Sequence, residues 1–306
     1  MSAALERKTR QQLSKTPHFA AILPLREGID LDMTDIVKRM ERTVEGSGAR
    51  VLLHPNMRKM SQGHGLSGML GLPIRPSSLQ MLYVVIDHVG IWVAAREGIM
   101  EHRGPLQRWA NPDLWPEGPE RIARHRAWIE ICDLGFMRER GVAKLDRAFN
   151  RAAAVTAATA AVASACEALG VLWYPAKNAV PLEQFAKQFD YVIDGHAPIE
   201  LWLRYLFTKS PDPSLHDGVV TKGLAAFTDY EIEVLPSMMD PQDAKALAFQ
   251  FARLVVDRGT EPRTGMMLTP SRHFTASVRV GESQQHKGLK VFELTVAPRI
   301  AAGARG

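Results

Sequence analysis

Glu231 and Glu233 are the residues of this chain best spaced for proton chemistry. Side chains two apart on an extended strand point the same way, so two carboxylates can serve one substrate as acid and base. They close the segment Val220-Thr221-Lys222-Gly223-Leu224-Ala225-Ala226-Phe227-Thr228-Asp229-Tyr230-Glu231-Ile232-Glu233-Val234, in which Lys222 adds a cation. Tyr230, Ile232 and Val234 hold the opposite parity, the pattern of a strand with one buried and one wet face. No third polar partner stands nearby in sequence. The preferred reading is therefore a solvated strand face on which the acidic side chains make contacts and catalyse nothing. Arg279 and Glu293 have outward parity on the closing strands and are expected as cross-strand partners.

Other chemistries find less support. Gly63-His64-Gly65-Leu66-Ser67-Gly68 fits the dinucleotide pattern, with Asp87 downstream for a ribose. That motif needs a helix opening at its third glycine, and Gly71-Leu72-Pro73 forbids one. Ser67 lacks a nucleophile-elbow frame because Gly68 follows it directly. The ten histidines form no His-x-x-x-His or His-x-His pair with nearby carboxylates, so neither a metal site nor a cofactor is expected. His125, among Arg121, Arg124 and Arg126 at a helix end, suits a surface or capping role, and His88 suits a turn. Trp109, Trp115 and Trp128 are read mainly as core packing, with Trp115 kept as a contact candidate. The binding candidates are Lys222, Glu231, Glu233, Trp115 and His125, and no catalytic residue is assigned.

These residues need elements to hold them. Phe19 to Leu25 reads as a strand, and Asp30 or Asp32 caps a helix carrying Met33, Ile36, Val37, Met40 and Val44. Arg50 to His54 is a second strand, and Arg58 to Ser78 a glycine-rich loop. Leu82 to Ala95 forms a hairpin turning near Asp87-His88. A short helix, Glu120 to His125, leads into the strand Ala127 to Leu134. Asp146 to Leu169 is a long alanine-dense helix ended by Gly170, with Ala157, Ala161 and Ala165 on a close-packing stripe. Val171 to Tyr174 is a strand, Leu182 to Phe189 a helix, and Ile199 to Phe207 a strand. Pro241 to Val256 is a helix with an apolar stripe. Phe274 to Val280 and Lys290 to Val296 close the fold as an antiparallel pair.

Short turns between many strands favour an α+β fold with two lobes of mixed, mostly antiparallel sheet and helices packed on one face. The expected division is a flexible arm 1–16, one lobe over 17–135 and another over 145–298, meeting near Gly135 to Lys144. The 306 residues suffice for two cores, and 46% hydrophobic with 23% charged residues describes a folded chain. The net charge of +5 is spread out, so nucleic acid is not favoured as a partner. Met1 to Lys15 has no apolar core and Ala152 to Trp173 is interrupted by polar residues, so neither a secretory signal nor a membrane span is expected. Cys132 and Cys166 lie far apart, which suits a reducing cytoplasm and no disulfide.

Several stretches resemble one bacterial family, domain of unknown function forty-two sixty-one. They are Leu114-Trp115-Pro116 with His125-Arg126-Ala127-Trp128-Ile129, Gly170-Val171-Leu172-Trp173, Pro198-Ile199-Glu200-Leu201-Trp202, and Thr221 to Phe227 with Glu231 to Val234. Where relatives have Phe-Gly before the acidic strand, Phe227-Thr228 stands here. The resemblance, over about residues 109–296, implies an intracellular α+β protein and supplies neither catalytic residues nor a cofactor. The expected function is a cytosolic, non-enzymatic module that binds another protein, in an immunity- or stress-associated role. The alternatives are a small-molecule enzyme with a site between the lobes, and anionic-polymer binding through Arg121, Arg124 and Arg126.

Overall fold

The computed structural model describes residues 19–28, 32–45, 50–53, 79–100, 106–111, 114–136 and 143–299. The arm 1–16, the glycine loop 58–78 with its Gly63 to Gly68 motif, and most of the stretch Gly135 to Lys144 lie outside the described residues. The fold is α+β, built on two mostly antiparallel sheets. By its contacts the chain separates into two compact units. One comprises Met1–Arg140, Asn150–Pro175 and Ala179–Phe189; the other comprises Gly141–Phe149, Ala176–Asn178 and Asp190–Gly306.

The first unit holds β1 (Ala20–Leu25), α1 (Met33–Glu45), β2 (Val51–Leu53), β3 (Leu79–Ile86), β4 (Val89–Glu97), α2 (Gly118–Ala123), β5 (Ala127–Phe136), most of α3 (Lys144–Ala163), and β6 (Val171–Trp173). With β7 (Asn178–Val180) its strands run in the order β2-β3-β4-β5-β1-β6-β7. β1 is flanked on both sides, by β5 and β6. Both faces are covered, so its sequence is a continuous apolar run with no alternation. The β3–β4 turn puts Asp87 at φ 44° and His88 at φ 71°, the paired left-handed residues of a two-residue hairpin. Asp32 caps α1 by accepting from Thr34 N at 2.8 Å. Arg151 of α3 grips Asp133 of β5 in a buried two-point ion pair, at 2.5 and 2.9 Å.

Two expectations need correction here. α3 ends at Ala163, not Leu169, because the following residues leave the helix to join β1. Leu169 N donates to Pro24 O at 2.8 Å, and Ala168 bridges Leu25. Ala157 and Ala161 are buried, whereas Ala165 falls past the helix end and is half-buried. Gly170 therefore does not stop the helix. A Cβ there would lie 2.4 Å from the Trp115 ring, so the glycine makes room for that indole.

The second unit holds α5 (Ile199–Trp202), β8 (Arg204–Thr208), β9 (Gly218–Lys222), α6 (Ala225–Thr228), β10 (Glu231–Val234), α7 (Pro241–Val256), β11 (Met267–Leu268), β12 (Phe274–Glu282) and β13 (Lys290–Pro298). The remaining helix, α4 (Leu182–Ile193), is divided between the units. The strand order is β11-β12-β13-β10-β9-β8, antiparallel except where β10 runs parallel to β13. α7 lies against β9 and β10 and buries Leu247, Ala248, Phe251 and Val255. It starts at Pro241 because Asp240 accepts from Gln242 N at 2.8 Å. The strand expected over Ile199 to Phe207 begins only at Arg204. Leu201 N and Trp202 N both donate to Pro198 O, and Asn178 Nδ2 holds Glu200 O at 2.8 Å, which winds the first residues into a turn. Ile199, Leu201, Trp202 and Leu203 are all buried, a run that a half-wet strand does not produce.

Candidate functional site

The segment from β9 to β10 turns on Gly223. Its φ is +114°, and a Cβ would sit 2.5 Å from Trp202 O. Only glycine fits there. Glu231 closes the loop that follows, taking N–H donors from Gly223 at 2.8 Å, Leu224 at 3.1 Å and Ala225 at 3.2 Å. The Thr221 hydroxyl donates a fourth bond at 2.8 Å. That hydroxyl oxygen in turn accepts from Ile232 N at 2.7 Å. Threonine, glycine and glutamate are thus parts of one clamp. Burial raises the Glu231 pKa, against the opposing pull of these donors.

The expected wet face is therefore not wet: Glu231 is 6% exposed and Glu233 0%. The alternation holds for Ile232 and Val234, which are buried, whereas Tyr230 is half-buried and stacks on Phe292 at 4.9 Å. Glu233 lies opposite Glu293 of β13, and Glu293 lies opposite Arg279 of β12. Arg279 Nε donates to Glu293 Oε1 at 2.8 Å, and a second guanidinium nitrogen reaches Oε2. The expected cross-strand pair is present, but Glu293 does not face outward: it is buried.

Glu233 is less well served. Ser283 Oγ donates to its Oε1 at 2.9 Å, and His286 Nε2 stands 3.6 Å from the same oxygen. Its Oε2 and His286 Nε2 are buried and without hydrogen-bond partners. Burial pushes the Glu233 pKa up; Glu293 adds to this, while Ser283, His286 and Arg279 oppose it. Ser283 also accepts from Gln285 N and His286 N, which folds the β12–β13 connection onto the carboxylate. A buried acid beside an imidazole can store or exchange a proton. The Ser283 hydroxyl donates to Glu233, and His286 Nε2 has no hydrogen-bond partner, so no bond joins this serine to that ring nitrogen.

Lys222, the third candidate of this segment, faces cations. Arg204 is its direct cross-strand partner, and Arg204 Nη1 donates to Lys177 O at 2.9 Å. Burial first, then Lys177 and Arg204, lower the Lys222 pKa; Glu231 opposes. β8, which carries Arg204, is the last strand of its sheet, with Leu206 38% and Phe207 48% exposed.

Trp115 and His125 belong to the other unit and are both buried. Trp115 packs with Trp109, Trp128, Ile22 and Leu172. The capping role of His125 is present and its surface role is not. Its Nδ1 meets Ile122 O at 2.6 Å at the end of α2, and Met100 N donates to Nε2 at 3.1 Å. Those bonds require the ring proton on Nδ1. Sequence reasoning missed Lys177, Ser283 and His286, which lie in connections between elements, and Arg204, which lies on an edge strand whose cross-strand neighbour the sequence does not reveal.

Among the described residues, no group of three His, Cys, Asp or Glu side chains is placed to hold a metal ion, and no disulfide joins Cys132 and Cys166. No helix among them is long and apolar enough to cross a membrane. Comparison with protein-family models, curated proteins and solved structures finds no match.

Proposed function

We propose that the chain is a non-enzymatic protein-binding module whose partner adds an extended, acidic segment to strand β8. One observation carries the reading: among the described residues the outer edge of β8 pairs with no strand, and it presents Leu206 and Phe207 beside Arg204, Lys222 and Lys177. An added strand takes its affinity from main-chain hydrogen bonds and its specificity from alternate side chains, and the cations select carboxylates. A cytoplasmic, immunity- or stress-associated setting belongs to the same proposal; two cysteines far apart in the sequence, which suit a reducing compartment, support its first part.

Hydrogen exchange of the full chain with a synthetic peptide of alternating Glu and Val is the test. The β8 amides should slow, and Arg204→Glu with Lys222→Glu should abolish the slowing. Protection elsewhere, or undiminished protection in the charge-reversed variant, would overturn the proposal. So would β8 protection that rises with protein concentration alone, because the occupant would then be a second copy of the chain.

A small-molecule enzyme is the second reading, favoured by Glu233, a buried acid with an unbonded oxygen near His286. A turnover that Glu233→Gln abolishes without altering the melting temperature would move the assignment to an enzyme.

A further inference from the structure

The first unit gathers arginines from three stretches of chain. Arg26 follows β1 and Arg126 precedes β5, and the two strand ends are tied where Arg126 N donates to Leu25 O, one residue before Arg26, at 3.0 Å. Arg121 lies on α2 and Arg124 caps it. Together with Glu27 and Leu169 the four guanidinium side chains line a concavity of about 770 Å³. Arg124 pairs with Glu120. Arg26, Arg121 and Arg126 have no ion pair among the described residues, and Glu27 is the only acid in the lining.

We propose that this cup binds a compact anion carrying two or three phosphates. Like charges lining one concavity repel, and an anion seated among them relieves the repulsion. The guanidinium fork matches phosphate oxygens two at a time, which a lysine does not. The frame is fixed beneath the cup. His125, between Arg124 and Arg126, is buried and bonded on both ring nitrogens, to Ile122 O and from Met100 N. That ring sets where the flanking arginines leave the backbone.

Calorimetry on the full chain with inorganic triphosphate and, separately, ADP tests the site. Both should bind at one site, and sulfate should compete poorly. Arg121→Gln with Arg126→Gln should weaken triphosphate by at least about tenfold. Arg121→Lys with Arg126→Lys should rescue only part of that loss, because the charge returns without the fork. Glu120→Gln, which frees Arg124, should tighten binding. Tighter binding of ADP than of triphosphate marks a nucleotide ligand, and the reverse an inorganic polyphosphate; either ranking supports the site. Unchanged triphosphate affinity in the double glutamine variant would overturn it. Preference for a single-stranded oligonucleotide, with affinity falling steeply as salt rises, would also overturn it by making the cup part of a nucleic-acid surface.

Discussion

Glu231 and Glu233 are two residues apart on one strand, on one face, and both are buried, yet their surroundings differ sharply. Four donors converge on Glu231, three of them backbone N–H groups of the loop it closes. Glu233 receives one donor, faces a second glutamate across the parallel ladder, and keeps an oxygen with no partner. Burial alone would class the two together. Satisfaction separates them: a carboxylate whose acceptor sites are filled is part of the frame, and one left short is where a proton or a ligand has something to gain. The most conspicuous sequence feature of the chain is therefore structural at its first glutamate and chemically open at its second.

The largest effect should follow from breaking the filled site. Glu231→Ala strands the N–H groups of Gly223, Leu224 and Ala225 in a buried loop, and should cost about 4 kcal/mol in urea denaturation. Glu231→Gln should rescue little, because its amide nitrogen would face donors. A loss under about 1 kcal/mol would mean that water replaces the carboxylate, and the clamp would have to be abandoned.

Gly223→Ala attacks the same clamp from its other side. The backbone there is left-handed and a methyl would collide with Trp202 O, so a loss of about 2–4 kcal/mol is expected. Combined with Glu231→Ala it should cost less than the sum of the two, because either change opens the loop. Additive losses would show that glycine and glutamate act independently.

The contrast also marks how far the sequence could be read. The limits of α7 follow from Asp240-Pro241 and its apolar stripe, and the pairing of Arg279 with Glu293 from strand parity. Parity also put Ile232 and Val234 inside. It could not say whether the opposite face is covered, because the cover comes from elsewhere: Ser283 is 50 residues from Glu233. The same holds for Lys222, whose cationic neighbours Lys177 and Arg204 arrive from a turn and an edge strand. α3 stops short because β1 recruits the backbone after it, a competition that helix propensity does not contain.

Ser283→Ala probes the sparsely served site. It removes the single donor to Glu233 and the acceptor that gathers Gln285 N and His286 N. A loss of about 1–3 kcal/mol is expected, together with faster hydrogen exchange at Gln285 and His286. Slowed or unchanged exchange there would show that the connection is held by something other than this hydroxyl.

The smallest effect, and the most diagnostic, is expected for Glu233→Gln, which keeps the shape of the protonated acid. The folded pKa of Glu233 lies above its ordinary value, chiefly through burial, with Glu293 adding and Ser283, His286 and Arg279 opposing. A raised pKa means that the folded state prefers the proton. The associated stability is present in full below the unfolded value, near 4.3, and is lost as pH rises through the raised folded value. At about pH 4 the two proteins should therefore unfold at nearly the same urea concentration, within about half a kcal/mol. As pH rises towards about 8 the glutamine variant should become the more stable of the two, since it carries no buried charge to hold. A gap between Glu233→Gln and the parent protein that stays flat with pH, or that widens in the parent's favour, would place an ionised Glu233 in a satisfied pair with His286. The two glutamates would then be two versions of one structural device, with no open site between Ser283 and His286.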